Sequence, residues 1–168
     1  MGPAHLAAGL AAKSAARKVP LWVLLVASEA LDLLCFGFMA LGLERAGTSR
    51  VDFSHGIQVT TPGWIPWSHG LFMAVVWSLL AAVICGLIFH DRRSGIVIGL
   101  VVFSHWALDF IVHPGELPLL FAGSPTVGLG LWTTGPGLIA SAVLEVALIG
   151  AGLVLYFRGR KLPAPATT

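Results

Sequence analysis

The sequence predicts an all-α integral membrane protein with four transmembrane helices, a short N-terminal helix and both termini in the cytoplasm. Composition is the first observation behind this prediction. Of 168 residues, 57% are hydrophobic and only 11% are charged, whereas a soluble domain carries about 25% charged residues. The second observation is a set of four apolar segments of about 20 residues, the length that crosses a bilayer as a helix. We expect residues 1–168 to form a single membrane domain.

Residues that interrupt helices separate the four segments. Pro20 precedes the first, TTPGWIP precedes the second, and the polar HDRRSG separates the second from the third. Pro114 ends the third, because the residue before a proline disfavours the helical region. Gly95 and Gly99 are one turn apart, and such pairs let membrane helices pack closely. The predicted spans are residues 21–43, 67–89, 95–113 and 136–156.

Three segments remain outside the predicted spans. Residues 1–20 are too short to cross the membrane, so we expect an interfacial helix, or a half-inserted helix that carries His5 into the bundle. Residues 114–135 hold three prolines and five glycines but are otherwise apolar. This pattern predicts a loop that lies on the membrane surface or closes over the bundle as a lid. We expect residues 159–168 to form a frayed, flexible tail.

The distribution of basic residues predicts the orientation of the chain. Eight of the ten Lys and Arg residues fall on one side of the predicted spans, and the positive-inside rule places that side in the cytoplasm. The net charge of +2 is small and the basic residues are scattered, which argues against nucleic acid as a partner. The eight residues are Lys13, Arg17, Lys18, Arg92, Arg93, Arg158, Arg160 and Lys161.

Ionisable side chains occur in every predicted span, although each costs about 2.5–3.5 kcal/mol at the centre of a membrane helix. Such residues usually face the interior of the bundle or an aqueous cavity. At a rise of about 1.5 Å per residue, they form a column from the middle of the membrane toward the outer face. The members of this column are Glu29, Asp32, His69, His105, Asp109, His113 and Glu145.

The stretch SHWALDFIVH places three of these residues at successive turns of one helix face. His105 and Asp109 are four residues apart, as two ligands of one metal ion would be. His113 is about 12 Å from His105 along the helix axis. We therefore expect His113 to be a supporting residue, a rim residue or a ligand of a second ion.

Imidazole and carboxylate ligands suit zinc, manganese or iron. We therefore predict a divalent metal ion, zinc first, bound by His69, His105 and Asp109 toward the outer face. Asp32 is expected to be a fourth ligand or a general base. The structural alternative is a hydrogen bond from Asp109 to a histidine of another span, which would hold the helices together. The remaining candidates are the catalytic acids Glu29 and Glu145 and the ligand His113.

Four short motifs, in order over most of the chain, resemble those of a family of small bacterial inner-membrane proteins described as LexA-regulated metal-dependent hydrolases. The resemblance implies a hydrolase that acts on a lipid or phosphoester at a bacterial inner membrane, and it adds His5 to the metal ligands. The chain departs from the family pattern in lacking a His-Arg pair before Ser68 and in opening its acidic pair with Glu29. The motifs are His5 in PAHLAAGLA, Glu29 and Asp32 in SEALD, Ser68-His69 in PWSHGL, and Ser104-His105 with Asp109 in SHWALD.

Three other functions stay open from the residues alone. Histidines on facing helices also ligate b-type haem, and chains of Asp, Glu and His also form relays in proton or ion transporters. A small apolar chain also suits a non-catalytic accessory subunit of a larger membrane complex. For a hydrolase, we expect membrane lipids as neighbours, a lipid-like substrate that enters beside residues 114–135, and a homo-oligomer or a larger complex.

Overall fold

The computed structural model describes residues 2–121 and 123–160. Most of this part of the chain is helical, and a 3-10 turn at Gly2–Ala4 leads into the first helix. Residues 161–168, most of the predicted tail, lie outside the described residues, and residues 159–160 belong to the last helix. The helices are α1 (His5–Ala12), α2 (Leu21–Ser28), α3 (Ala30–Ala40), α4 (Pro66–His69), α5 (Leu71–Ile88), α6 (Arg92–Val112) and α7 (Gly135–Arg160).

Three helices, α5, α6 and α7, are each long and apolar enough to cross a membrane. The pair α2 and α3 makes a fourth candidate span if its two bent halves are counted as one. The helix ends differ from the prediction by a few residues. For example, α6 begins at Arg92 because the Asp91 carboxylate caps it, accepting a hydrogen bond from the Ser94 N–H at 3.1 Å.

The first predicted span is broken near its middle. At Glu29 the backbone lies at φ −101° and ψ 6°, and the two halves are bent by 58°. The Ser28 hydroxyl donates to the Leu25 carbonyl at 2.7 Å, a back-bond of the kind that often bends helices. The break leaves the last carbonyls of α2 without partners inside that helix. The second half ends at Ala40 rather than at residue 43.

The second predicted span also begins with a break. Short helix α4 ends at His69, Gly70 is extended at φ −65° and ψ 137°, and α5 begins at Leu71. A Cβ atom at Gly70 would lie 2.4 Å from the Pro66 carbonyl oxygen, so a larger residue does not fit this corner. His69 therefore sits at the end of a helix of its own, where its side chain is buried.

Helices α5 and α6 pack against each other at very short range. A Cβ atom at Gly95 would lie 2.4 Å from the Ala82 carbonyl oxygen, and one at Gly99 would lie 2.8 Å from that of Ser78. The predicted close packing at this glycine pair is confirmed. The main hydrophobic core is built largely from α2, α3 and α6, and includes Leu24, Leu31, Ile98, Val102 and Trp106.

The N-terminal helix α1 packs inside the bundle, against α7, α2 and α6. His5 is only 1% exposed, and Ala7 and Gly9 on the same helix are also buried. Small side chains on α1 let it approach its neighbours closely. Of the two expected placements of this helix, the structure shows the one that carries His5 into the bundle.

The connections contain two antiparallel strand pairs that the all-α prediction missed. In the first, Ser49 lies opposite Val59 and Val51 lies opposite Ile57, which puts these four side chains on one face. β-Branched residues such as these favour paired strands. The first pair is β1 (Thr48–Asp52) with β2 (Gly56–Thr61), and the second, within the 114–135 connection, is β3 (Leu117–Pro118) with β4 (Thr126–Val127).

Candidate metal centre

Three histidines and two aspartates from four helices meet inside the bundle. We call this set the His/Asp cluster. Four of its members are buried, while the Asp32 side chain is 41% exposed. The members are His5 at the start of α1, Asp32 on α3, His69 at the end of α4, and His105 and Asp109 one turn apart on α6.

At the centre of the cluster, two imidazole nitrogens alternate with two carboxylate oxygens. The Nε2 atom of His69 lies 3.3 Å from Oδ1 of Asp32 and 3.5 Å from Oδ2 of Asp109. The Nε2 atom of His105 lies 3.5 Å and 3.3 Å from the same two oxygens. Zinc bonds of about 2.0–2.1 Å to nitrogen and oxygen give ligand–ligand distances of about 3.3–3.4 Å in a tetrahedron. These four nitrogen–oxygen distances therefore match the spacing of neighbouring ligands around one ion.

In its neutral form, His105 directs a lone pair into the cluster. Its Nδ1 atom lies 2.7 Å from the Ser28 carbonyl oxygen, and because a carbonyl only accepts, Nδ1 carries the hydrogen. Its Nε2 atom is buried and has no aligned hydrogen-bond partner among the described residues, although Oδ2 of Asp109 is only 3.3 Å away. Two hydrogen-bond acceptors at this distance repel each other unless a cation lies between them.

His69 is held in the same tautomer by a buried carboxylate. The Ser68 hydroxyl donates to Oε2 of Glu44 at 2.7 Å, so its oxygen accepts from Nδ1 of His69 at 2.8 Å. Oε1 of Glu44 accepts from the backbone N–H groups of Trp67 and Ser68, at the start of α4, where such groups have no partner inside the helix. In the neutral ring, Nε2 of His69 therefore also presents a lone pair to the two aspartates.

Sequence reasoning missed Glu44, which is only 2% exposed. It follows the first predicted span and precedes Arg45, a context typical of a solvated loop. The adjacent Ser68 and His69 could be recognised as a motif in the sequence. Their carboxylate partner, Glu44, could not be recognised, because it lies far from them along the chain.

His5 joins the cluster from the opposite side of Asp109. Its Nε2 atom lies 3.2 Å from Oδ1 of Asp109, and its ring stacks on that of His105 with centroids 3.7 Å apart. Within the described part of the chain, its buried Nδ1 atom has no hydrogen-bond partner. Two groups of three could each hold a metal ion, namely His5 with His105 and Asp109, and Asp32 with His69 and His105.

His113 lies at the rim of the cluster and is 22% exposed. Its Nε2 atom is 3.9 Å from Oδ1 of Asp109, and its Nδ1 atom is 2.9 Å from Oε1 of Glu116. Its ring also packs against that of Trp132, with centroids 5.1 Å apart. His113 thus contacts the cluster through the outward-facing oxygen of Asp109.

The structure does not place the two predicted glutamates in either possible metal-binding group. Glu29 lies at the helix break, and its Oε1 atom is buried with no hydrogen-bond partner that the described residues supply. Glu145 is half-buried on α7, beside Gly2 at the start of the chain. Glu145 was predicted from its depth in the membrane, but depth does not determine which way a side chain points around its helix.

A cavity of about 390 Å³ lies over the cluster. Asp32, His69 and Asp109 line it, with His113 beside them. One wall is the apolar face of the β1–β2 hairpin, which the sequence analysis did not anticipate. The 114–135 loop, predicted to lie on the membrane surface or to close over the bundle as a lid, contributes a smaller part of the lining. The cavity is also lined by Phe36, Met39, Ile57, Val59, Pro114, Glu116 and Trp132.

The charge balance of the cluster also fits a cation. The two aspartates carry two negative charges, and among the described residues that line the cavity there is no Lys or Arg. Buried charges are stable only when paired or bound to an ion. A divalent ion held between the two carboxylates would offset their negative charge. The buried His and Asp groups could therefore hold a metal ion.

Comparison with known proteins gives no relative from which a function could be transferred. No protein-family model, no curated protein and no solved structure matches this chain.

Proposed function

We propose that this protein is a membrane-embedded, metal-dependent hydrolase that acts on a lipid or another phosphoester. One observation carries the proposal. Nε2 atoms of His69 and His105, both with Nδ1 engaged elsewhere, face carboxylate oxygens of Asp32 and Asp109 at 3.3–3.5 Å below an open cavity. With neutral imidazoles, these nitrogens direct lone pairs at the carboxylate oxygens, an arrangement that a bound cation would stabilise.

The residues divide into a holding set and a reacting set. His69, His105 and Asp109 are buried and would hold the ion, with zinc preferred because nitrogen and oxygen ligands at tetrahedral spacing suit it. Manganese and iron accept the same ligands. A divalent ion in this position would supply Lewis acidity and lower the pKa of water toward neutrality.

Asp32 is the candidate general base. Its side chain is 41% exposed, against 4% for Asp109, and it lines the cavity. Oδ1 of Asp32 faces the two histidines, so Oδ2 is the oxygen we assign to accept a proton from water. Glu29, three residues earlier, is the second candidate because its Oε1 atom is buried without a partner among the described residues.

The cavity supports an amphiphilic substrate. Its floor carries the carboxylates and histidines, while Phe36, Met39 and Val59 give it apolar walls. Because no described Lys or Arg lines it, an anionic headgroup would find its positive charge only at the bound ion. A phosphoester headgroup with an apolar tail matches both features.

The positive-inside rule supports an orientation with both termini in the cytoplasm of a bacterial inner membrane. Arg92 and Arg93 begin α6, whereas His105, Asp109 and His113 lie in its second half. The basic end of α6 and the cavity are therefore at opposite ends of one helix. In this orientation the cavity and the β1–β2 hairpin face the outer side of the membrane.

The alternatives make different demands on the same residues. Stacked rings of His5 and His105 at 3.7 Å leave no gap for a porphyrin between them, so the geometry gives no support to haem. A proton relay or ion transporter would use the same acids without hydrolysis. Ion flux in liposomes that survives chelation and is lost in Asp109→Asn would favour that function.

The direct test is elemental analysis of purified wild-type protein beside His105→Ala and Asp109→Ala. We expect at least one transition-metal ion per chain in the wild type and loss of it in both variants. The chain supplies a matched control in His55, whose ring also lies beside an aspartate, at 2.8 Å from Asp52, but is 75% exposed. His55→Ala should keep the metal. A wild type with no stoichiometric transition metal would contradict the proposal.

Activity is tested in parallel with mixed micelles of phospholipid and detergent. We expect release of a phosphate-containing headgroup or a fatty acid that requires the metal and is abolished by Asp32→Asn, while metal content is largely kept. Full metal content with no hydrolysis of any phospholipid or phosphodiester probe would leave a metalloprotein that is not a hydrolase of this class.

A further inference from the structure

The two oxygens of Asp109 face two different pairs of histidines. Oδ2 lies 3.5 Å from His69 and 3.3 Å from His105. Oδ1 lies 3.2 Å from Nε2 of His5 and 3.9 Å from Nε2 of His113. A carboxylate that shows one oxygen to each of two imidazole pairs has the arrangement of a bridging ligand.

We infer that Asp109 bridges two divalent ions and that His5 and His113 bind the second. This inference rests on the proposed function, since the first ion is the one held by His69, His105 and Asp109. His105 is assigned to the first ion because its Nε2 atom lies near oxygens of both Asp32 and Asp109. A carboxylate bridge would hold the ions about 3.5–4 Å apart, as in two-metal hydrolytic sites.

His113 has the supporting contact that a metal ligand requires. Its Nδ1 atom lies 2.9 Å from Oε1 of Glu116, and the carboxylate only accepts, so Nδ1 carries the hydrogen and Nε2 keeps its lone pair. Metal-bound histidines commonly have this contact to a carboxylate. At 3.9 Å, Nε2 must move about half an ångström to reach the spacing of a zinc ligand. His113 is the C-cap of α6 and is partly exposed, and its ring packs against that of Trp132.

The surroundings of the two positions differ. His69, His105 and Asp109 hold the first ion, and Asp32 lies beside it as the candidate base. Among the described residues, His5, His113 and Oδ1 of Asp109 face the second position, and three protein ligands would leave a coordination position for substrate, as in catalytic sites. Because His113 and Asp109 both line the cavity, that open position is the one a substrate reaches.

Two ions at this spacing specify the substrate class further. A pair of cations clamps the attacking and leaving oxygens of a phosphoester, whereas a carboxylic ester needs only one. We therefore assign a phosphoester, in a lipid headgroup or in a free organic phosphate, as the bond that the second ion serves. Hydrolysis adds water across the P–O bond, giving a phosphate-terminated product and an alcohol, and no other reactant is needed.

The experiment counts ions and measures their coupling. Wild type, His5→Ala, His113→Ala, His69→Ala and the control His55→Ala are saturated with zinc in detergent, desalted and analysed for metal and protein. We expect two zinc ions per chain in the wild type and in His55→Ala, and one in His113→Ala and His5→Ala. Loaded with manganese, the wild type should give the electron paramagnetic resonance spectrum of an exchange-coupled pair, and His113→Ala that of an isolated ion.

The possible outcomes separate this inference from the proposed function. One ion in the wild type and one in His113→Ala would overturn the second position and leave the first standing. No ion in the wild type would overturn both. Two coupled ions in His113→Ala would overturn the assignment of His113. Unchanged helical circular dichroism in each variant confirms that folding is kept, and a phosphorylated lipid compared with its free headgroup phosphate identifies which source of phosphoester is used.

Discussion

Glu44 and His69 are connected through one hydroxyl group. The Ser68 Oγ atom donates to Glu44 at 2.7 Å and accepts from Nδ1 of His69 at 2.8 Å. The carboxylate thus fixes the tautomer of a candidate metal ligand without touching it. Contacts of this kind raise the basicity of the ligand and orient its ring.

The first prediction concerns this contact. Glu44→Gln replaces one acceptor oxygen with an NH₂ donor, although three hydrogens already point at the two oxygens of Glu44. We expect zinc affinity to fall by roughly 10–100-fold, measured by competition with a chromophoric chelator. Glu145→Gln, on half-buried Glu145 outside the cluster, is the matched control and should bind zinc like the wild type. Equal affinities in the two variants would show that Glu44 does not act through His69.

The second prediction concerns the corner between α4 and α5. A Cβ atom at Gly70 would lie 2.4 Å from the Pro66 carbonyl oxygen and 3.0 Å from that of Leu120. Gly70→Ala should therefore shift α4 with His69 and destabilise the fold by roughly 1–3 kcal/mol, with lower metal content. Gly150→Ala is the control, because a Cβ at Gly150 meets nothing within 4 Å. That control should be neutral or slightly stabilising in thermal unfolding, and identical melting of the two variants would refute the close contact.

The third prediction concerns the hairpin wall of the cavity. Val59 lines the cavity, whereas its neighbour Gln58 points to the other face of β2. Val59→Trp should fill part of the cavity and lower kcat/KM by roughly 10-fold or more, with metal content unchanged. Gln58→Trp adds the same bulk on the opposite face and should leave kcat/KM within about twofold of wild type. Equal losses in both variants would mean that the hairpin acts through its stability rather than by contacting substrate.

The fourth prediction concerns pH. Hydrogen bonds from the Ser94 hydroxyl and backbone N–H hold the pKa of Asp91, the cap of α6, below its ordinary value of 3.8. Because the pKa is lower in the folded state, the stabilisation is fully present above the ordinary pKa and is lost as pH falls through the folded-state value. Asp91→Ala should therefore melt below the wild type at neutral pH, with a difference that shrinks as pH falls below the ordinary pKa of 3.8. Ser94→Ala should show part of the same effect, and a difference independent of pH would contradict the linkage.

Sequence reasoning anticipated much of the metal centre because helix geometry is fixed. His105 and Asp109, four residues apart, had to share one face of a helix, and they do lie together in the cluster. An aspartate within an apolar span needs a partner, and this reasoning also predicted Asp32 as a site residue. The depth estimate put Asp32 and His105 near the middle of the membrane, and the structure brings them within 3.5 Å of each other.

Other features could not be predicted because they depend on contacts between distant parts of the chain. Neither Pro nor Gly marks the helix break at Glu29, where a serine back-bond and packing bend an otherwise helical sequence. Glu44 belongs to the site only because α4 returns to it 23 residues later in the chain. Glu145 failed to join the cluster because depth alone says nothing of the rotation of α7.

The helix break at Glu29 has an energetic consequence for ion binding. The Ser28 carbonyl reaches Nδ1 of His105 from the end of a helix bent by 58°. If ion binding requires that hydrogen bond, the bend between α2 and α3 and the occupancy of the ion site are thermodynamically linked. By thermodynamic linkage, straightening the span would then lower the affinity for the ion, and the bound ion would disfavour the straightened span by the same factor. The bend angle of the first span would thus depend on metal occupancy. Spectroscopic labels on α2 and α3 would detect occupancy as a change in the angle between these two helices.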